Sequence, residues 1–328
     1  MLKPLLCCLA AAAIAAGDAD ALAALPKLPR PTLQTGAAPP FEPAAGTALA
    51  PWVRLVAGTR IVLDGEMQVD RGPSDGLEVL ACLREGKTHE TLIRLAGEGG
   101  DVVKAAGLAL GLGDGRPAEE NRGIPARGTP VRLTVLWKDE DGAWRWSDAA
   151  CLVRDRRTDQ PYPPLPWVWT GSRMLLISES GPDGTVVRRE RFMLDSTRSL
   201  AVNFDEPDAL LASPFPNANE DARFEVNTAI APPARTRVFL ALQPAETVLQ
   251  LRLTPDGQLA GDGPALDDQA LAAVLAGAFA ASAMPAHRAV FVRTANGVGD
   301  DQVVATRARI LAAAAAGKAW TVPLFVPE

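Results

Sequence analysis

The feature that most constrains this chain is a change of hydrophobic period near Pro244. Beyond it, residues 248–253 read as a strand, and Thr254-Pro255-Asp256-Gly257 places Pro and Gly where a tight turn needs them. Asp268 opens a helix whose Leu271, Val274, Leu275, Ala278 and Phe279 fall at i, i+3, i+4, i+7 and i+8. Residues 289–292 form a short apolar strand, Asp300 caps a second helix that stops at Gly317, and 320–326 is a last strand. Pro323 confines that strand to an edge or a bulge, because it has no N–H for a ladder. The order strand, strand, helix, strand, helix, strand predicts a small α/β layer, right-handed wherever its strands run parallel.

Before Pro244 the period is two. Residues 59–69 read as strands broken at Asp64-Gly65, a dipeptide suited to a hairpin turn, and 77–83 is another strand. A regular strand over 87–95 would set His89, Thr91, Ile93 and Leu95 on one face and Thr88, Glu90, Leu92 and Arg94 on the other. A helix is expected over 101–110, capped by Asp101. Val131, Leu133, Val135 and Trp137 alternate into Asp139-Glu140-Asp141-Gly142, and Trp144 and Trp146 continue beyond, which predicts a hairpin. Further strands are expected over 186–193, 200–204 and 238–242. The fold class is therefore α+β: a strand-rich mixed domain over 52–243, then a small α/β domain (ββαβαβ) over 246–328. Residues 22–51, with Pro26, Pro29, Pro31, Pro39, Pro40, Pro43 and Pro51, read as a Pro/Ala-rich linker or extended arm outside the core.

Residues 1–21 have the parts of a secretory signal: Lys3, an apolar run over 4–16, and Ala19-Asp20-Ala21 as a cleavage site. The run is shorter than the ~20 apolar residues of a membrane span. A periplasmic or secreted protein with no transmembrane helix is expected. Cleavage removes Cys7 and Cys8 and leaves Cys82 and Cys151. Two readings of that pair stand: a disulfide worth roughly 4 kcal/mol in the chain-entropy model, or two separate buried thiols acting as small hydrophobes. The formal net charge of -6 excludes a basic nucleic-acid-binding surface as the overall character of the chain.

Candidate chemistry is sparse. With two His in 328 residues, Cys82, His89 and Glu90 are the one Cys/His/carboxylate grouping that suggests a metal, and it falls short of the four ligands zinc prefers. The expectation is no metal and no cofactor, with His89 and Glu90 as a structural polar pair and His89→Ala costing about 1 to 3 kcal/mol through a lost buried hydrogen bond. Lys87, His89, Glu90, Ser172 and Arg173 remain candidates for binding a ligand. Gly171-Ser172-Arg173 lacks the flanking Gly of a nucleophile elbow, the Gly-rich stretch 107–115 lacks the Lys-Ser/Thr of a phosphate loop, and 97–100 lacks the helix-entry spacing of a dinucleotide fingerprint. His287 reads as a solvated loop residue. Trp137, Trp144, Trp146, Trp167 and Trp169 suggest either an aromatic platform for sugars or peptides, or half-buried cross-strand pairs. No catalytic residue is identified.

Several motifs carry a resemblance. Gly72-Pro73, Leu77-Glu78-Val79-Leu80, Gly86-Lys87-Thr88-His89-Glu90, Trp137-Lys138-Asp139, Trp167-Val168-Trp169-Thr170-Gly171-Ser172-Arg173 and Val202-Asn203-Phe204 resemble the YdjY-type domain, over about 52–243. That resemblance implies no particular activity. Residues 246–328 resemble the periplasmic domain of ExbD/TolR-type proteins in the Asp256-Gly257 turn, the two helices and the Val290-Phe291-Val292-Arg293 strand. No segment near residue 246 matches the membrane helix of such proteins, so the resemblance implies a binding module rather than motor coupling. Two functions follow: a non-enzymatic module that binds an envelope protein or cell-envelope component, or a metal-dependent or hydrolytic enzyme using Cys82, His89 and Glu90.

Overall fold

The fold is built outward from one central strand pairing. In a computed structural model of the chain, the strand Arg60–Met67 buries Ile61, Leu63 and Met67 on one face and carries Asp64 and Glu66 on the other, as a period of two requires. The structure describes residues 33–56, 58–72, 76–119, 122–162, 164–180, 185–204, 206–214, 222–280, 289–317 and 321–328. The expected signal segment with Cys7 and Cys8, the first part of the expected linker, Pro73 and His287 lie outside them.

In chain order the first part holds β1 (Gln34–Gly36), β2 (Thr47–Ala50), β3 (Val53–Val56), β4 (Arg60–Met67), β5 (Val79–Cys82), β6 (Thr91–Leu95), α1 (Gly100–Ala109), β7 (Thr129–Lys138) and β8 (Trp144–Asp148). It continues through β9 (Val153–Asp155), β10 (Gln160–Pro161), β11 (Trp167–Trp169), β12 (Met174–Ser180), β13 (Val186–Phe192), α2 (Leu194–Thr197), β14 (Ser199–Val202), β15 (Leu211–Ala212), β16 (Phe224–Val226) and β17 (Arg237–Pro244). Strand β17 pairs antiparallel with both β4 and β7, and this double pairing closes the sheet. The ring runs β7-β11-β15-β14-β5-β6-β4-β17 and back to β7. Closure leaves the ring itself without an edge strand, and the sheet ends in β1 and β2 outside the ring. Its interior holds Leu63, Met67, Leu80, Ile93, Val135, Leu200 and Leu240 among others in one core. The fold is mixed and strand-rich, of the α+β class.

Helix α1 belongs to that core through Val103 and Ala106. It touches β2, β3 and β4, and Gly107 lies against the indole of Trp169 in β11, where any Cβ would collide with the ring. Asp101 is not its cap. The helix begins at Gly100, whose N–H donates to Asp195 Oδ1 at 2.9 Å, so a residue of α2 satisfies the helix start from afar.

The expected cap Asp300 is instead the first residue of its helix, after Gly299, and three further local expectations change. Asp64-Gly65 makes no turn: β4 passes straight through it, and Gly65 is required because a Cβ there would lie 2.6 Å from the Arg94 carbonyl oxygen of neighbouring β6. The strand expected over 87–95 begins only at Thr91. The expected linker becomes, from Leu33 onward, part of the sheet: β1 pairs with β8 and β2 with β3. Between them residues 37–46 form a strap over the outer face of the sheet. There Phe41 joins Trp144, Trp146 and Phe239 around Val62, Leu136 and Ala241. The alternation over 131–146 yields the expected hairpin, β7 with β8.

The second part holds β18 (Leu249–Leu253), β19 (Leu259–Ala260), α3 (Asp268–Ala280), β20 (Ala289–Thr294), α4 (Asp300–Ala316) and β21 (Val322–Pro327). The sheet order is β19-β18-β20-β21, with the last three parallel and β19 antiparallel. Pro323 lies on the edge strand, as its missing N–H demands. Val290, Val292 and Phe325 face Leu271, Leu275 and Phe279 of α3 and Val303 and Ile310 of α4 in a second core. The opposite face, with Ala289, Phe291, Val322 and Leu324, packs on Ala126, Leu165 and Val168 of the first part. Among the described residues, no helix is long and apolar enough to cross a membrane.

Candidate functional site

Strands β5 and β6 are parallel neighbours, yet only residues 83–90 connect them. So short a return must fold tightly, and it does so by pressing Gly86 onto Cys82, where a Cβ would lie 2.7 Å from that of the cysteine. The return ends in a 3-10 turn, Thr88–Glu90. That turn, not a regular strand, orients the candidate residues. Lys87 Nζ lies 3.3 Å from Glu206 Oε2 and 3.6 Å from Glu90 Oε1, and Thr91 Oγ1 donates to the Lys87 carbonyl at 2.6 Å. Burial pulls the Lys87 pKa down, but Glu206, Glu90 and Glu78 outweigh it, so the ammonium sits above its ordinary value and stays charged.

His89 points outward, its side chain 79% exposed, with Nε2 3.7 Å from Glu90 Oε2. No buried hydrogen bond holds it. Cys82 is fully buried, and burial raises its thiol pKa although Thr91, Gly86 and Arg94 act the other way. The trio Cys82, His89 and Glu90 therefore does not assemble a centre, and among the described residues no group of three or more His, Cys, Asp or Glu could hold a metal ion. Cys82 and Cys151 are both free. Cys82 packs with Val79, Val202 and Ala209, whereas Cys151 sits in the turn after β8, where burial and then the charge of Asp148 push its thiol up. The reading of two separate buried thiols is the one the fold adopts.

Ser172 and Arg173 serve the same loop that Lys87 reaches. Ser172 adopts a left-handed φ of 55° and its hydroxyl donates to the Asp208 carbonyl at 2.5 Å, while Arg173 Nε donates to the Asp208 carboxylate. Glu206 and Asp208 both belong to residues 203–210, which connect the parallel strands β14 and β15. The two segments singled out in the sequence thus clasp one loop from two sides. Asn203 ties the loop's start to Leu77, its Nδ2 donating to that carbonyl at 2.5 Å. Sequence reading missed Glu206 and Asp208. Their signal was the acidic stretch 205–208, but its basic partners lie far away in the chain.

The tryptophans divide. Trp137, Trp167 and Trp169 are buried in the core, whereas Trp144 and Trp146 stand half-buried on the outer face of β8. Beside them the strap covers a cleft of about 430 Å³ lined by Glu42, Trp52, Arg54, Lys138, Trp144 and Phe239 among others. The Trp144 and Phe239 rings are 6.2 Å apart, Lys138 Nζ lies 5.3 Å from the Trp144 centroid, and Arg237 lies 5.0 Å from that of Phe239. Asp64 and Arg237 form a bidentate pair at 3.0 and 2.6 Å and line this cleft together with an adjoining one. The second, about 490 Å³, adds Glu66, Arg84, Arg94 and Arg235. Six cations (Arg54, Arg84, Arg94, Lys138, Arg235, Arg237) meet three carboxylates (Glu42, Asp64, Glu66) along one trough, in a chain of net charge -6. Arg94 pairs with Glu66 at 2.5 Å, but Arg54, Lys138 and Arg235 form no ion pair with any described residue. Such a trough attracts anions, and its rings offer an apolar wall.

Compared with protein families, curated proteins and solved structures, the chain has no match in any of the three.

Proposed function

We propose that the protein is a non-enzymatic binding module of the cell envelope, exported to the periplasm or secreted, that holds an anionic ligand in the trough along β4 and β17. The observation that carries this reading is three cations in no ion pair with a described residue: Arg54 and Lys138 in the cleft of the Trp144 and Phe239 rings, and Arg235 in the adjoining cleft. Lys87, Ser172 and Arg173 are spent on holding a loop, which favours a structural role for them over ligand binding. Export rests on the signal-like residues 1–21. The envelope assignment rests on the YdjY-like motifs of 52–243 and the ExbD/TolR-like pattern of 246–328 in the sequence.

The test is calorimetric titration of the purified chain with a uronic-acid oligosaccharide, with inorganic phosphate as the small-anion comparison. Saturable binding that Lys138→Ala or Arg235→Ala weakens about tenfold or more, with unfolding unchanged, is the expected result. Binding indifferent to both substitutions, or none, refutes the trough. Stoichiometric metal in the purified protein that His89→Ala removes would instead favour the metal-dependent enzyme.

A further inference from the structure

Apart from Phe192, which packs against the first core at its base, the hairpin of β12 and β13 stands clear of both cores. Its strands pair only with each other, from Met174 opposite Phe192 to Ser180 opposite Val186, so each keeps an outer edge with no strand partner among the described residues. A two-stranded hairpin exposed on both faces is marginal in water, and its free edges are templates for another strand. Leu176 and Val186 are 61% and 66% exposed, and with Met174 and Val187 they make four of the seven exposed large hydrophobic side chains described. The cost of that exposure is explained if the hairpin has an occupant.

Charge indicates which. A period of two sends Val187, Arg189 and Arg191 to one face and Val186, Arg188, Glu190 and Phe192 to the other. None of the three arginines forms an ion pair with a described residue. A second copy of this chain fits this edge less well. Antiparallel self-pairing of β13 keeps each side chain on its face only when centred on a residue; centring on Arg188 or Glu190 sets like charge against like charge, and centring on Arg189 gains two Arg188–Glu190 pairs but sets Arg189 against itself and leaves Arg191 opposite Val187.

We propose that the outer edge of β13 binds an acidic extended segment of a partner protein, which adds as a third strand. Main-chain hydrogen bonds supply the affinity and the arginines the specificity. An antiparallel partner strand places carboxylates opposite Arg188, Arg189 and Arg191, a basic residue opposite Glu190, and apolar residues opposite Val186, Val187 and Phe192. The proposal is independent of the trough, since no residue of the hairpin lines it.

The experiment uses the full chain and a labelled, end-blocked peptide of sequence Val-Glu-Lys-Glu-Glu-Val-Val, with a scrambled peptide of the same composition as control. Fluorescence polarisation should show binding of the designed peptide about tenfold or more tighter than the control, lost when Arg189→Glu and Arg191→Glu are combined. Hydrogen exchange should slow in β13. Since Arg189 and Arg191 are exposed, the double variant should keep the parent's melting temperature. Equal binding of the two peptides, absence of binding, or protection elsewhere overturns the proposal. So would attachment to phosphatidylglycerol vesicles abolished by the same variant, which would make the occupant a membrane surface, or a dimer dispersed by deleting 174–192.

Discussion

The ring of strands and the α/β unit cover their apolar surfaces in different ways. The buried residues described in the ring's core all lie between Trp52 and Leu242, with Leu33 and Ala50 packed against them, and β17 seals the core by bonding to both β4 and β7. The α/β unit packs α3 and α4 with one face of its sheet and leaves Ala289, Phe291, Val322 and Leu324 to be covered by the ring's Ala126, Leu165 and Val168. Even its edge strand is met by the ring, through Gly128 N–H donating to the Phe325 carbonyl at 2.9 Å. Asp300, the first residue of α4, sits among Arg116, Arg122 and Arg127 of the first part. A regular order of strands and helices therefore does not by itself make a unit self-sufficient, because a sheet with helices on one face still has another to bury.

The largest effect should come from cutting the two apart. Residues 246–328 expressed alone should self-associate and melt without a cooperative transition, whereas 1–245 should unfold cooperatively; a monomeric, cooperative 246–328 fragment would break the comparison. Next is the polar latch. Arg127 has a side chain only 7% exposed, so Asp300→Ala strands a buried guanidinium and should cost about 3 kcal/mol in urea unfolding. A loss no larger than that of a surface substitution would mean that the apolar interface alone joins the parts.

A smaller effect probes a burden internal to the ring's sheet. Burial raises the Asp148 carboxyl from 3.8 to about 6, against the opposing pull of Arg132 and of the Ala150 N–H. Because the folded value lies above the unfolded one, the ionised carboxylate weakens the fold. That penalty is absent below about pH 4, grows through pH 6, and amounts at neutral pH to about 2 kcal/mol after allowance for partial exposure. Asp148→Asn should raise the melting temperature at pH 7.5 and leave it unchanged at pH 4; a loss at both would mean that the carboxylate's hydrogen bond matters more than its charge. The smallest effect is at His89. Its outward position replaces the expected loss of a buried hydrogen bond with a change within about 0.5 kcal/mol for His89→Ala, and a larger drop in denaturation would contradict the exposed turn.

Much of the fold was legible because local chemistry governed it. The β7–β8 hairpin follows from alternation interrupted by Asp141-Gly142, α3 from its apolar stripe, and the edge position of β21 from Pro323. The candidate site was legible only in its halves. Lys87 and Arg173 stood out as residues, but what they hold, Glu206 and Asp208, was not foreseen. Local patterns also misled at Asp64-Gly65, whose turn propensity yielded to the close approach of β6, and at 87–90, where the short return between parallel strands overrode alternation.

By itself the sequence determined the α+β class, three of the four described helices, about half of the strands, and the ββαβαβ order of the last part, because periodicity, caps and prolines act over a few residues. Only the tertiary structure decided the closure of the ring through β17, the strap that the proline-rich arm becomes, the separation of Cys82 from Cys151, and the trough of cations along β4. These depend on pairings between residues tens to hundreds of positions apart. Such pairings are chosen by how whole elements pack and bury surface together, and no local window of the chain encodes that choice.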